Sequence, residues 1–256
     1  MSIGAAGGAR GGRDAGERRP MQDVGVATTV RVPNFLPSTS GLKFANSWPH
    51  AADLALRLQG RFIFGIGDAA NGLCGGMAFE TADHHIAGVP IWSETEPPPA
   101  DSPHFRAIVG RQLDSLTWGL LPLRFYSMMA FRPNTPTALS NFLRRPSQAS
   151  ATVRDEWPKV RAGINAGNLV NLGLVRASAN DPRRLTSNHQ VLAYGYTLDG
   201  ASVAVSIYDP NHPGDDTIEL RIQIGPDGRV SKLEQSTGEP LFAFFQYRYA
   251  AKTPTA

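Results

Sequence analysis

Residues 188–213 read NHQVLAYGYTLDGASVAVSIYDPNHP. Two apolar runs inside this stretch, Gln190–Tyr196 and Ala201–Tyr208, are rich in β-branched and aromatic residues and read as neighbouring strands of a hairpin. His189 stands at the head of the first run and Asp209 at the end of the second. Neighbouring strands would place these two side chains side by side. Strand patterning continues on both flanks. Leu169–Val175 precedes the hairpin, and Ile218–Ile224 follows it with Ile218, Leu220, Ile222 and Ile224 on one side. Gly225-Pro226-Asp227-Gly228 is a turn signal that pairs Arg229–Glu234 back onto that strand, and aromatic-rich Leu241–Tyr249 closes the series.

Upstream, the period changes from two to about 3.6. Phe105, Ile108, Val109, Gln112, Leu113 and Leu116 form one stripe at three- and four-residue spacing, behind Ser102 as a cap. Further helices are expected at Thr137–Arg145 and Thr152–Ala166, with Pro158 in a first turn or at a kink, and a helical turn at Ala51–Leu58. Arg61–Gly67 is a short apolar run, and Thr28–Val32 alternates like a short strand. Helices before a mainly antiparallel sheet make the expected class α+β.

The chain has 256 residues, of which 41% are hydrophobic, enough for one substantial core. The expected organisation is a disordered Gly/Arg-rich tail over 1–22 and a single domain over 23–256. Its helical half spans about 51–166 and its β half about 168–250. The net charge of +3 resides mostly in the tail, where Arg10, Arg13, Arg18 and Arg19 outnumber Asp14 and Glu17. The remaining body is nearly neutral, so no nucleic-acid-binding face is expected. Apolar runs such as Gly119–Leu123 are too short to span a bilayer, and the tail lacks the apolar stretch of a secretory signal. The default expectation is a cytoplasmic protein.

A single cysteine excludes a disulfide framework and any site built on several thiolates. Taken alone, Cys74 reads equally as a buried structural thiol or as a nucleophile. Its setting, Asn71-Gly72-Leu73-Cys74-Gly75-Gly76-Met77-Ala78-Phe79, reads as a tight loop entering a helix that runs to about His85. A helix start favours a thiolate, and the glycines read as room for a substrate backbone. Asp209 before Pro210 reads as a turn former or as an orienting acid, and Asn211 is the alternative orienter. His84-His85 after Asp83 reads as a solvated helix end rather than a metal cluster. Gly65-x-Gly67-x-x-Ala70 is a truncated dinucleotide fingerprint without its β-α-β context. Arg144-Arg145 and Arg183-Arg184 read as solvated surface. Phe242, Phe244, Phe245, Tyr247 and Tyr249 read as strand and core. No cofactor or metal is expected.

In order along the chain, GLCGGM at 72–77, HQVLAYGY at 189–196 and IYDPNHP at 207–213 resemble the papain-like cysteine peptidases. They look nearest to the bacterial double-glycine-type, bacteriocin-processing-like branch. The resemblance covers roughly residues 65–223. It implies an α+β papain-like fold, with Cys74 as nucleophile, His189 as general base and then acid, and Asp209 as orienter. It also implies a side-chain amide six residues before the nucleophile as an oxyanion donor. That position is Asp68 here, and Asn71 is the nearer amide; the Cys74 backbone N–H would be the second donor. The implied partner is a peptide or amide-containing substrate. The same triad would serve an acyltransferase or transglutaminase-like enzyme, or persist in a catalytically weak binding protein.

Overall fold

The computed structural model describes residues 1, 26–48, 72–100, 102–117, 121–131, 148–177, 188–226 and 229–255. The expected tail beyond residue 1, the expected elements at Ala51–Leu58, Arg61–Gly67 and Thr137–Arg145, and both Asp68 and Asn71 lie outside these residues.

Among the described residues, seven strands form one sheet in which every pairing is antiparallel. They are β1 (Thr28–Arg31), β2 (Val170–Val175), β3 (His189–Asp199), β4 (Ser202–Tyr208), β5 (Glu219–Ile224), β6 (Val230–Gln235) and β7 (Ala243–Gln246). The order is β6-β5-β4-β3-β2-β7, and β1 pairs with β3. β3 is long enough to serve two neighbours on one edge. Its first half pairs with β2 from Leu174↔His189 to Val170↔Ala193. Beyond that β1 takes over, from Arg31↔Gly195 to Thr28↔Leu198. The β3–β4 hairpin expected around His189 and Asp209 is present, with a register shift between Ala193 and Gly195.

The described helices are α1 (Pro37–Ser40), α2 (Cys74–Ala87), α3 (Pro103–Thr117), α4 (Leu121–Phe131), α5 (Gln148–Ala151) and α6 (Trp157–Asn165). Thr152–Glu156, between α5 and α6, is a π-helical turn. It ends immediately before Trp157, and Pro158 sits in the first turn of α6, where a missing N–H costs nothing. Ser102 caps α3 as expected: its Oγ accepts from the Phe105 N–H at 3.1 Å. Phe105, Ile108, Val109 and Gln112 are the buried stripe. Helix α4 was not anticipated from the sequence. Its Phe125, Met128 and Met129 pack with Phe79, Phe245 and Tyr247 over β7. Trp157, Val160 and Ile164 of α6 join Val170 and Tyr196 in the principal core. The chain is thus a mixed α+β structure with an antiparallel sheet. Among the described residues no helix is long and apolar enough to cross a membrane.

The glycines after Cys74 serve packing. A Cβ on Gly76 would lie 2.1 Å from the Ile108 carbonyl oxygen of α3. One on Gly75 would lie 2.4 Å from Gln190 Oε1 and 2.5 Å from Ser115 Oγ. Both positions are filled by neighbouring elements, so the expected clearing for a substrate backbone is not what these residues provide. They let α2 approach α3 and the head of β3 closely, which sets where Cys74 meets the sheet. The obstacle at Gly76 is backbone and cannot rotate away. Gly76→Ala is therefore expected to destabilise the fold by about 1–3 kcal/mol in urea unfolding. An unchanged midpoint would show that the α2–α3 contact is slacker than described.

Candidate active site

Three sequence candidates converge. Cys74 is the first residue of α2, His189 the first of β3, and Asp209 follows the last residue of β4. All three are buried, Asp209 completely. His189 Nε2 and Asp209 Oδ1 are 2.6 Å apart. The Cys74 side chain lies near enough to the same imidazole to favour its protonated form. With Nε2 committed to the acid, Nδ1 is the nitrogen left for the sulfur.

The Asp209 carboxylate is held from four directions. Oδ1 accepts from His189 and from the Asn211 backbone N–H at 2.9 Å. Oδ2 accepts from Gln235 Nε2 at 2.9 Å and from an Arg176 terminal nitrogen at 3.5 Å. That Arg176 nitrogen also donates to Gln235 Oε1 at 2.8 Å, so amide and guanidinium brace each other. Burial alone would push the pKa of this carboxyl up. The charge and hydrogen bond of His189, the Asn211 N–H and Arg176 outweigh burial and hold the carboxyl well below the usual carboxylate range. Burial likewise pushes His189 down. The negative charge of Asp209 and its hydrogen bond, with Cys74 acting in the same direction, more than offset this, and the pKa rises from 6.5 to about 9.

The Cys74 end is fixed by residues the motifs do not contain. Asn46 Oδ1 accepts from the Leu73 N–H at 2.6 Å and from Trp48 Nε1 at 3.2 Å. Asn46 Nδ2 donates to Asn211 Oδ1 at 3.1 Å, and its backbone N–H donates to the Pro210 carbonyl at 2.9 Å. One side chain therefore ties the entry of the helix that begins at Cys74 to the loop that follows Asp209. Gly72 makes room for it: its φ is +96°, and a Cβ there would lie 2.1 Å from Asn46 Nδ2. The Gly76 N–H donates to Gln112 Oε1 at 2.8 Å. This leaves the Cys74 and Gly75 N–H groups at the positive end of a 14-residue helix, outside its own hydrogen bonding.

Asn211 does not reach His189. Its side-chain oxygen is engaged by Asn46, and its contribution to the acid is the backbone N–H. The His84-His85 pair is not a solvated helix end. His84 is buried, with Nδ1 2.8 Å from the Pro90 carbonyl and its ring edge-on to Trp92. Asp209, His212 and Glu239 bring potential ligand atoms within 4.8 Å of one another. Arg176 already supplies the positive charge there, with Glu239 Oε1 at 3.6 Å. Asn46, Arg176 and Gln235 lie far from the motifs in sequence, and no spacing rule connects them. Gln235 is the buried last residue of a strand that is otherwise exposed or half-buried, which only the fold reveals.

Comparison with protein-family models, curated proteins and solved structures finds no match to this chain.

The raised His189 pKa has a stability consequence. A group protonated more tightly in the folded state contributes fully below its unfolded value of 6.5, and that contribution is lost as pH rises through about 9. The loss across this window is expected to be on the order of 3 kcal/mol. Asp209→Asn removes the principal opposing charge, so the folded pKa falls and the same window becomes flatter. Urea unfolding of both proteins at the two ends of the window checks this. Parallel losses would show that Asp209 does not govern the histidine.

Proposed function

We propose that this chain is a papain-like thiol hydrolase, a cysteine peptidase or amidase acting on a peptide or amide carbonyl. The observation that carries the reading is the buried His189 ring. It lies between an ionised carboxylate at 2.6 Å and the only thiol of the chain, which sits at a helix N-terminus. Nucleophilic catalysis needs this order of groups: nucleophile, proton carrier, orienter.

The proton of the thiol rests on His189, where Asp209 stabilises the imidazolium. The Cys74 sulfur attacks the carbonyl carbon, and the carbonyl electron pair moves to oxygen. The Cys74 N–H at the helix start stabilises that oxyanion, and Asn71 is the side-chain amide proposed to join it. Asp68, when ionised, has no proton to donate. Collapse breaks the C–N bond, and His189 gives its proton to the departing amine. A thioester remains. His189 then takes a proton from water, the hydroxide adds to the thioester, and the acid leaves with Cys74 restored. The fixed partners of Asp209 keep the imidazole in one orientation throughout.

An activated thioester or amide probe tests this. Intact-mass measurement of the full chain is expected to show one acyl adduct, which decays in water and is absent in Cys74→Ala. His189→Ala should slow adduct formation at least about a hundredfold. No adduct on the wild-type protein would overturn the reading. Decay that requires an added amine would move it to acyl transfer.

A further inference from the structure

The segment after β7 has no regular secondary structure, yet side chains of α2 and α3 tie it down. Close to β7 the anchor is Asp83. The Tyr249 hydroxyl and the Lys252 N–H donate to its Oδ1, the latter at 2.9 Å. Arg111 pairs with Asp83 at 2.7 Å and donates to the Ala250 carbonyl at 2.9 Å. At Thr255 the segment is held differently. Its N–H donates to Glu80 Oε1 at 3.3 Å, and its carbonyl accepts from Trp92 Nε1 at 2.9 Å. Residues 251–253, between the two anchors, are exposed.

Glu80 is only 2% exposed and lies on α2. One turn on, His84 brings Nε2 to 3.7 Å from Glu80 Oε1. The other ring nitrogen fixes the tautomer. Nδ1 is 2.8 Å from the Pro90 carbonyl, which only accepts, so Nδ1 carries a hydrogen. A neutral ring then has no hydrogen for Nε2, and that atom is buried without a hydrogen-bond partner. Two acceptors face each other out of water, and one more proton is needed between them. Burial decides who holds it. It pushes His84 down from 6.5 and Glu80 up to about 7. The Thr255 N–H opposes the Glu80 shift, Asp83 adds to it, and Arg111 and His104 of α3 oppose it. Arg111 is already paired with Asp83 and Asp114, and His104 with Glu94 at 2.7 Å.

We propose that Glu80 is a neutral acid whose proton is shared with His84 Nε2, and that this proton is the catch holding Thr255 against α2 and Trp92. When the proton leaves, a buried carboxylate faces a second acceptor. One N–H at 3.3 Å does not replace the hydration that carboxylate has lost. Thr255 then lifts and admits water to Glu80, while the anchor at Asp83 stays. Glu80 is protonated more tightly in the closed form than in water. Its contribution to closure is therefore full below 4.5 and is lost as pH rises through about 7. The inference is independent of the thiol-hydrolase reading.

The test is hydrogen exchange at the Thr255 and Lys252 amides of the full chain, corrected for intrinsic rate, at about pH 5.5 and about pH 8.5. Opening at Thr255 is expected to be about thirtyfold more frequent at the higher pH, for a carboxyl moved from 4.5 to about 7. Lys252 should change little. Glu80→Gln keeps a neutral donor for Nε2 and an oxygen for the Thr255 N–H, and should hold Thr255 equally at both pH values. Thermal unfolding of each protein checks that the fold is retained. The proton itself is located by infrared spectroscopy: a carboxylic-acid carbonyl band is expected in wild type at the lower pH and not in Glu80→Gln. Absence of that band in wild type would overturn the proposal. So would Thr255 opening that is indifferent to pH, that rises equally in Glu80→Gln, or that is matched at Lys252.

Discussion

A carboxylate shut away from water must be stabilised inside the protein, and Asp209 has no solvent contact at all. Its four donors come from the head of β3, the loop after β4, the end of β6 and the residue after β2. Satisfying one acid therefore fixes the ends of several strands relative to each other. The consequence passes directly to His189. Its ring is held at Nε2 by the acid, which leaves the other ring nitrogen outside that bond. The histidine's elevated pKa and the acid's depressed one are two views of the same buried pair.

The second constraint is how closely α2 can approach. Gly75 and Gly76 bring the helix against Gln190, Ser115 and the Ile108 carbonyl, nearer than any residue with a Cβ could. Asn46 then locks the helix entry to the Asp209–Asn211 loop through Leu73, Pro210 and Asn211. The start of α2 and the Asp209 loop are thus attached to each other around the histidine. A thiol and an imidazole placed on separate elements need such bracing, because an ångström of slack between them costs rate heavily.

Much of this was legible in the sequence because it is local. The β3–β4 hairpin follows from alternating apolar runs, and it delivers His189 and Asp209 to one end of the sheet without long-range information. The helix start at Cys74 and the Ser102 cap are likewise local signals. What was misread involved the third dimension. The glycines near Cys74 permit two readings, space for a ligand or space for a neighbour, and only the position of Ile108 and Gln190 decides between them. Helix α4 escaped because LPLRFYSMMAF has apolar residues almost all round, a pattern without a clean stripe. The π-helical turn before Trp157 leaves no mark in residue periodicity. Asn46, Arg176 and Gln235 are ordinary polar residues until the fold brings them to a buried acid. Their roles exist only through the topology.

Asp209 and the buried ring beside it form one ionised pair, and the histidine reports it most directly. Ring-nitrogen NMR of the full chain across pH, with His189 assigned by comparison with His189→Gln, measures its protonation site by site. The ring is expected to stay protonated through neutrality and to titrate at about 9. A ring that loses its proton near the ordinary value of 6.5 would contradict it.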